Sequence, residues 1–368
     1  MIIDLFPKAG GKTIKMKMQP YRKQDSFPVR RHSSDTETSD SIEINNWKPQ
    51  IIAAGTSGVV YLVGRGYYYN HPLVKASYNP ITGFTHEWTI DEFDAEFDTI
   101  VATPDNCVYV TKNNGTLWKY SPDGESLWNI AESGVMCIGD NGNLFVWNST
   151  YIKEYDASGS LLNKWDYTCD GIPIRFRVND NNEFFIVTST QLARLTPALE
   201  VVWTYAATFG TGSFSYTNCA IDIDKSCNFY MYTGDGDSGV KCISADGELL
   251  WDSGELDWTS IYICIFVDNF GAVYLCNYHG NLFKLDAKTG TLISNTRFYE
   301  HTGHKVGCAD MAGNIYVWCD WKLCSFFNYL GTVSWTENDK SQERFIIQEL
   351  EHGDGYMILL DDEEVAIL

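Results

Sequence analysis

The chain has 368 residues, of which 44% are hydrophobic and 14% aromatic, and its formal net charge is −21. This composition excludes a disordered chain, and no segment approaches the roughly 18 apolar residues of a membrane span. Eleven cysteines without a CxxC pair exclude a zinc ribbon, and their apolar surroundings indicate reduced core thiols. The N-terminus lacks the apolar segment of a signal peptide, so we expect a cytoplasmic or virion protein without membrane insertion.

Residues 1–40 differ from the rest of the chain in charge and pattern. Residues 1–33 contain eight Lys or Arg and only two acidic residues. Glycines, prolines and the polar stretch 33–40 are typical of an extended arm and linker. Between residues 13 and 19, Lys alternates with apolar residues, as in a strand that adds to a partner's sheet.

This basic arm is expected to anchor the protein to other proteins of a large assembly. Nucleic acid is an unfavourable partner because the acidic remainder of the chain repels phosphate. A tail without a role is the alternative. The candidate anchoring residues are Lys8, Lys12, Lys15, Lys17, Arg22, Lys23, Arg30 and Arg31.

From residue 41 onward, short segments of β-forming residues alternate with turns. In residues 99–128, turns such as Asn-Gly and Asp-Gly separate four such segments, a pattern typical of antiparallel hairpins. A Trp, or a residue in its place, follows a polar turn at intervals of 37 to 48 residues. The eight positions are Trp47, Trp88, Trp128, Trp165, Trp203, Trp251, Ser294 and Trp335.

This repeat predicts an all-β fold, an eight-bladed β-propeller of four-stranded antiparallel blades preceded by the extended N-terminal arm. The arm and linker comprise residues 1–40, and the propeller comprises residues 41–368. The last blade has only three strands, whereas segment 41–47 has the pattern of a fourth strand without the first three. We therefore predict that the ring closes by pairing this N-terminal strand with the C-terminal blade.

The turns of several repeats carry a family resemblance. Residues 121–128, 244–251 and 286–290 read Ser-Pro-Asp-Gly-Glu-Ser-Leu-Trp, Ser-Ala-Asp-Gly-Glu-Leu-Leu-Trp and Asp-Ala-Lys-Thr-Gly. They resemble the repeat of PQQ-like propellers, the superfamily of quinoprotein alcohol dehydrogenases. The resemblance implies that the tryptophans dock neighbouring blades together. Its enzymes bind a quinone and calcium and often have adjacent cysteines. This chain has no adjacent cysteines, and we expect no cofactor and no enzyme activity.

Antiparallel order places the loops between second and third strands, and those between blades, on one face. This face is rich in aromatic residues, which are enriched at protein interfaces and also stack on sugars. The alternative is that several of them fold inward and cover the end of the ring. The candidate partner-binding residues are Tyr67, Tyr68, Tyr69, Tyr205, Phe209, Phe214, Tyr216, Trp258, Tyr278, Tyr299 and Trp321.

These observations favour a non-enzymatic interaction or structural module. The propeller would be anchored by its N-terminal arm in a larger assembly, such as a virus or phage particle. A glycan- or receptor-binding adhesin that uses the aromatic face is the alternative, and a quinoprotein-type enzyme is the third reading.

Overall fold

The computed structural model describes most of residues 47–326 and short strands outside that range. Within it, the description leaves out residues 57, 67–70, 80–82, 93–96, 208–220, 234–238, 255, 257–263, 278–280, 298–304, 312 and 320–321. Outside it, the backbone is described for residues 2–3, 16–17, 41–43, 346–349, 356–359 and 365–367. The chain divides into two compact units, Val29–Phe327 and a second unit made of Met1–Pro28 with Asn328–Leu368.

The unit Val29–Phe327 is a β-propeller of four-stranded antiparallel blades. Six blades each consist of four consecutive strands, which we name a to d in chain order. Blade 1 consists of Trp47–Ala54, Val59–Gly66, His71–Asn79 and Gly83–Glu92. Blade 2 consists of Phe97–Ala102, Val108–Lys112, Thr116–Tyr120 and Ser126–Ile130. Blade 3 consists of Val135–Ile138, Leu144–Trp147, Tyr151–Tyr155 and Leu161–Asp166.

Blades 4 to 6 have the same organisation, and a seventh sheet is completed by the N-terminal segment. Blade 4 consists of Pro173–Val178, Phe184–Thr188, Gln191–Leu195 and Val201–Ala206. Blade 5 consists of Ile221–Ile223, Phe229–Thr233, Gly239–Ile243 and Leu249–Asp252. Blade 6 consists of Cys264–Val267, Ala272–Cys276, Asn281–Asp286 and Leu292–Arg297. Strands a to c of blade 7 are Lys305–Ala309, Ile315–Cys319 and Lys322–Phe326, and its strand d is Ser41–Glu43.

Strand b of each blade lies at the centre of the core. Val108–Lys112, Phe184–Thr188 and Ala272–Cys276 are buried at every position. Both faces of each blade pack against neighbouring blades, so strand b does not alternate between apolar and polar residues. Phe185 of blade 4, for example, lies against Phe229 of blade 5, with 6.2 Å between ring centroids. The four β-forming segments predicted in residues 99–128 are confirmed as the strands of blade 2.

Among the described residues, seven blades close the ring, so the predicted number of eight is wrong. Strand a of each blade lies beside strand a of the next, and strand a of blade 7 lies beside strand a of blade 1. At this junction the Gly58 amide donates a 2.8 Å hydrogen bond to Asp310 Oδ2. A circle of seven inner strands leaves no place for an eighth.

The N-terminal strand completes a blade, as predicted, but the strand predicted as its partner is wrong. Strand Ser41–Glu43 pairs with Lys322–Phe326, with Ser41 opposite Cys324, and not with the C-terminal strands. Trp47 does not belong to this strand, because it begins strand a of blade 1. Only three residues separate Glu43 from Trp47, so the segment reaches the blade beside blade 1, which is blade 7.

The strands predicted as the eighth blade form a separate sheet. Ile346–Glu349, Tyr356–Leu359 and Val365–Ile367 pair as three antiparallel strands. They belong to the unit that includes Met1–Pro28, in which Ile2–Ile3 pairs with Met16–Lys17. The boundary at residue 40 stays a prediction, since residues 18–40 lie outside the described part. None of the described residues belongs to a helix long and apolar enough to cross a membrane.

Candidate interaction surface

A β-bulge at the start of strand d recurs in blades 1 to 6. The register between strands c and d shifts there by one residue, as between Tyr120–Ser126 and Lys119–Trp128 in blade 2. One residue of strand d is left without a partner, and the bulge turns the following side chain towards the next blade. The skipped residues are Glu87, Leu127, Leu162, Val202, Leu250 and Ile293.

The residue after the bulge is a Trp in four blades, and each one contacts the c–d turn of the next blade. Trp203 Nε1 donates to Ala245 O at 2.9 Å, and a Cβ built on Gly247 of the same turn would lie 2.7 Å from the indole. Trp88, Trp128 and Trp251 make the corresponding bonds to Pro122, Ala157 and Ala287. The docking role implied by the family resemblance is therefore confirmed at these four tryptophans.

At three of the four tryptophans, a cation opposite the Trp contributes a second donor, which the sequence analysis missed. In blade 5 the residue opposite Trp251 is Cys242. Lys75 Nζ and Trp88 Nε1 both donate to Pro122 O, at 2.8 and 2.9 Å. Lys119 does the same at Ala157 O, and Arg194 Nη1 reaches both Ala245 O and Asp246 Oδ1. The available signal was the basic residue near the end of strand c in blades 1, 2 and 4.

Blade 3 departs from this arrangement. The register places Asn163 opposite Glu154, at the position that Trp occupies in other blades. The prediction that Trp165 occupies this position is therefore wrong by two residues. Asn163 Nδ2 donates to Glu154 at 2.6 Å. Trp165 packs against Phe184 instead, with 5.5 Å between ring centroids.

Blade 6 has Ser294 at the Trp position, opposite Lys284, as the sequence alignment predicted. Its neighbour is blade 7, whose strand d comes from the N-terminal segment. Blade 7 therefore has no continuous c–d turn for a tryptophan to contact. The absence of Trp at Ser294 follows from the way in which the ring closes.

The bulge also exposes the aliphatic pairs that precede the Trp positions. Eight side chains in strand d of blades 2 to 6 are between 43% and 57% exposed. In blade 1 the same positions hold the polar residues His86 and Glu87. We name these eight residues the aliphatic arc: Leu127, Leu161, Leu162, Val201, Val202, Leu249, Leu250 and Leu292.

Carboxylates flank the aliphatic arc. Glu200 directly precedes Val201, and Glu248 directly precedes Leu249. Across blades 2 to 5, the c–d turns contain no Lys or Arg. Their exposed acidic residues are Asp123, Glu125, Glu200, Asp246 and Glu248. In blade 3 the exposed charges near the pair are those of Lys164 and Asp166, which form an ion pair. The negative charge therefore lies beside the arc residues of blades 2, 4 and 5.

A buried carboxylate joins blades 2 and 3. Glu132, in the loop between these blades, accepts hydrogen bonds from Lys153, Tyr151 and Tyr155, the last at 2.7 Å. Burial disfavours the charged carboxylate, but these hydrogen bonds outweigh it and lower the pKa of Glu132. Burial, and then Glu132, raise the pKa of Tyr151 to about 12.

Tyr205 is the one predicted partner-binding residue whose side chain is described. It is half-buried in strand d of blade 4 and packs on the core cluster between blades 4 and 5. The other ten, including Tyr67 and Trp321, lie outside the described side chains, as do those of the predicted anchoring arm. The aromatic face and the arm stay predictions.

No family model and no curated protein matches the chain. Streptogramin B lyase is similar in structure with a TM-score of 0.59 and 12% identity, over 78% of this chain and 96% of that one. A chain of the mitotic checkpoint complex is similar with a TM-score of 0.59 and 13% identity, over 87% and 100%. The WD40 domain of Toxoplasma gondii coronin has a TM-score of 0.57 and 10% identity, over 77% and 84%.

The similarity establishes a β-propeller. At such identities it establishes the fold alone, and membership of the PQQ-like superfamily stays a prediction.

Proposed function

We propose that this propeller is a non-enzymatic scaffold that binds another protein through the aliphatic arc. The observation that carries the proposal is the exposure of eight aliphatic side chains on five consecutive blades. Scattered single apolar residues on a surface are ordinary, but exposed apolar residues that recur at the same position of successive blades, next to polar turns, are typical of a protein contact.

The asymmetry of the ring supports the same conclusion. The bulge itself recurs in blade 1, where His86 and Glu87 occupy it. The bulge geometry therefore does not require Val201 or Leu250 to be apolar. Blade 1 folds with polar residues at these positions, so we attribute the aliphatic residues on blades 2 to 6 to a contact outside the chain.

The fold favours no activity by itself. One structural neighbour is a streptogramin B lyase, and another is a chain of the mitotic checkpoint complex. Function resides in sites placed on folds, so the proposal of a binding function rests on the aliphatic arc and not on the fold. Anchoring by the N-terminal arm in a larger particle extends this proposal.

The proposal is tested with tagged full-length protein purified from its native cells. One variant carries Val201→Ser, Val202→Ser, Leu249→Ser and Leu250→Ser. The matched control carries His86→Ser and Glu87→Ser at the same bulge of blade 1. We expect a partner protein that the wild type and the control retain and that the arc variant loses.

Equal partner sets for all three proteins, with the variants folded by circular dichroism, would refute the proposal. The arc side chains are about half exposed, so serine substitution leaves the core intact.

A further inference from the structure

We infer that the aliphatic arc binds a basic strand, an extended protein segment in which Lys or Arg alternates with aliphatic residues. This inference rests on the proposed function and names the chemistry of the partner. Three features of the described blades carry it: the repeated pairing of a carboxylate with aliphatic side chains, the sign of the charge, and the free edge of strand d.

The first feature is a repeated unit of one carboxylate and one aliphatic pair. Glu200 with Val201 and Val202, and Glu248 with Leu249 and Leu250, form two such units on neighbouring blades. Glu125 and Leu127 form a related unit on blade 2. An extended segment that runs along one such strand d presents positive and apolar groups in turn, which suits the carboxylate and the aliphatic pair of that blade.

The second feature is charge, which separates the possible occupants. Because the c–d turns of blades 2, 4 and 5 contain exposed carboxylates and no Lys or Arg, a second copy of the arc would be repelled. An acidic segment would be repelled in the same way, whereas a basic segment is attracted. Of the possible occupants, a basic partner segment is the one that the arc favours.

The third feature is the edge of each blade. Strand d is the last strand in the sheets of blades 1 to 6, so its outer backbone groups have no strand partner in those sheets. An extended segment can add to such an edge through main-chain hydrogen bonds, while its side chains determine specificity. The exposed aliphatic pairs lie at the start of these strands.

The chain itself contains a segment of the required chemistry. Residues 12–19 read Lys-Thr-Ile-Lys-Met-Lys-Met-Gln, and this octapeptide is the probe. It is labelled with a fluorophore and titrated into full-length protein that carries Lys15→Glu and Lys17→Glu. These two substitutions remove the protein's own basic segment as a competitor.

The arc variant in this background carries Glu248→Lys and Leu249→Ser, and the control carries Glu87→Lys at the bulge of blade 1. We expect saturable binding by fluorescence anisotropy that the arc variant weakens by about tenfold or more. The control should change the affinity by less than about twofold. Affinity should fall as salt is raised, since exposed charges are screened. A peptide with Glu in place of each Lys should not bind.

Equal affinity for the arc variant and the control, or no saturable binding, would overturn the inference. The two proposals fail separately. If the probe does not bind, but the serine variant of the arc still loses its partner protein, the arc is an interaction surface and the basic strand is not its ligand.

Discussion

The indole of Trp251 in blade 5 lies directly on Gly290 of blade 6. A Cβ built on Gly290 would come within 2.4 Å of Trp251 Cε3, and the φ of Gly290 is +69°. Trp251 Nε1 donates to Ala287 O of the same turn at 2.8 Å. The turn therefore requires glycine twice, once for its left-handed backbone and once for the space that the indole occupies.

Gly290→Ala should therefore lower the free energy of unfolding by about 2–5 kcal/mol, since left-handed strain and overpacking add. The matched control is Gly115→Ala, where φ is +83° and no atom lies within 4 Å. This control should cost only the strain, about 1–2 kcal/mol. Urea denaturation of both variants measures the difference. Equal losses would show that the Trp251 contact does not restrict this position.

Two N-terminal deletions test the closure of the ring. Deleting residues 1–40 retains strand Ser41–Glu43, whereas deleting residues 1–43 leaves strand Lys322–Phe326 of blade 7 without its outer partner. An unpaired edge strand promotes aggregation and loses ladder hydrogen bonds. We expect the longer deletion to melt several degrees lower and to aggregate. Thermal melting and light scattering measure this, and identical behaviour of the two deletions would contradict the closure.

Asp310 should stabilise the junction between blades 7 and 1. Its carboxylate accepts hydrogen bonds from Gly58 N, Asn314 and Tyr316 at 2.8–2.9 Å. Asp310→Asn replaces one acceptor oxygen by a donor and should cost about 2–4 kcal/mol. Hydrogen exchange at the Gly58 amide should accelerate at the same time.

Asp224→Asn is the control for this change. Asp224 accepts hydrogen bonds from Asn228 and Tyr230, which lie in its own blade. Its substitution should leave exchange at the Gly58 amide unchanged. Faster exchange at Gly58 in both variants would indicate general destabilisation and not a role in ring closure.

Glu132 should make stability depend on pH below its ordinary pKa of 4.5. Its pKa is lowered in the folded state, so its stabilising contribution is complete above 4.5 and is lost as pH falls through the folded value. Glu132→Gln lacks this contribution. The wild type should be more stable than the variant at pH 7, by about 1–3 kcal/mol, and the difference should shrink towards pH 3. A difference that stays constant across urea titrations from pH 3 to 7 would contradict this role.

Blade 3 shows where a sequence pattern misleads about structure. Trp165 fits the spacing of the repeat, but the bulge makes Asn163 the equivalent residue. The following c–d turn compensates, because Leu199 stands at the left-handed position with φ of 61° and packs in the same cluster as Trp165. Spacing alone could not show this, since a shift of two residues keeps a side chain on the same face of a strand.

The sequence showed the aliphatic residues of the candidate surface but not their exposure to solvent. Hydrophobic residues before the Trp positions of blades 4 and 5 are visible in the sequence, but such a pair is also typical of a buried strand segment. The bulge in blade 5, for instance, leaves Leu250 unpaired and exposes both Leu249 and Leu250. Strand register, which depends on the neighbouring strand, therefore decides that these side chains face solvent.

The sequence by itself determined the all-β repeat, the four-stranded blades, four of the Trp docking positions and the use of an N-terminal strand for closure. These features depend on local turns and on periodicity, which neighbouring residues specify. Only the tertiary structure decided that the ring has seven blades, that Ser41–Glu43 pairs with Lys322–Phe326, and that the arc is exposed. Blade number and edge pairing depend on how inner strands fill a circle, and repeats of equal spacing do not encode the point at which that circle closes.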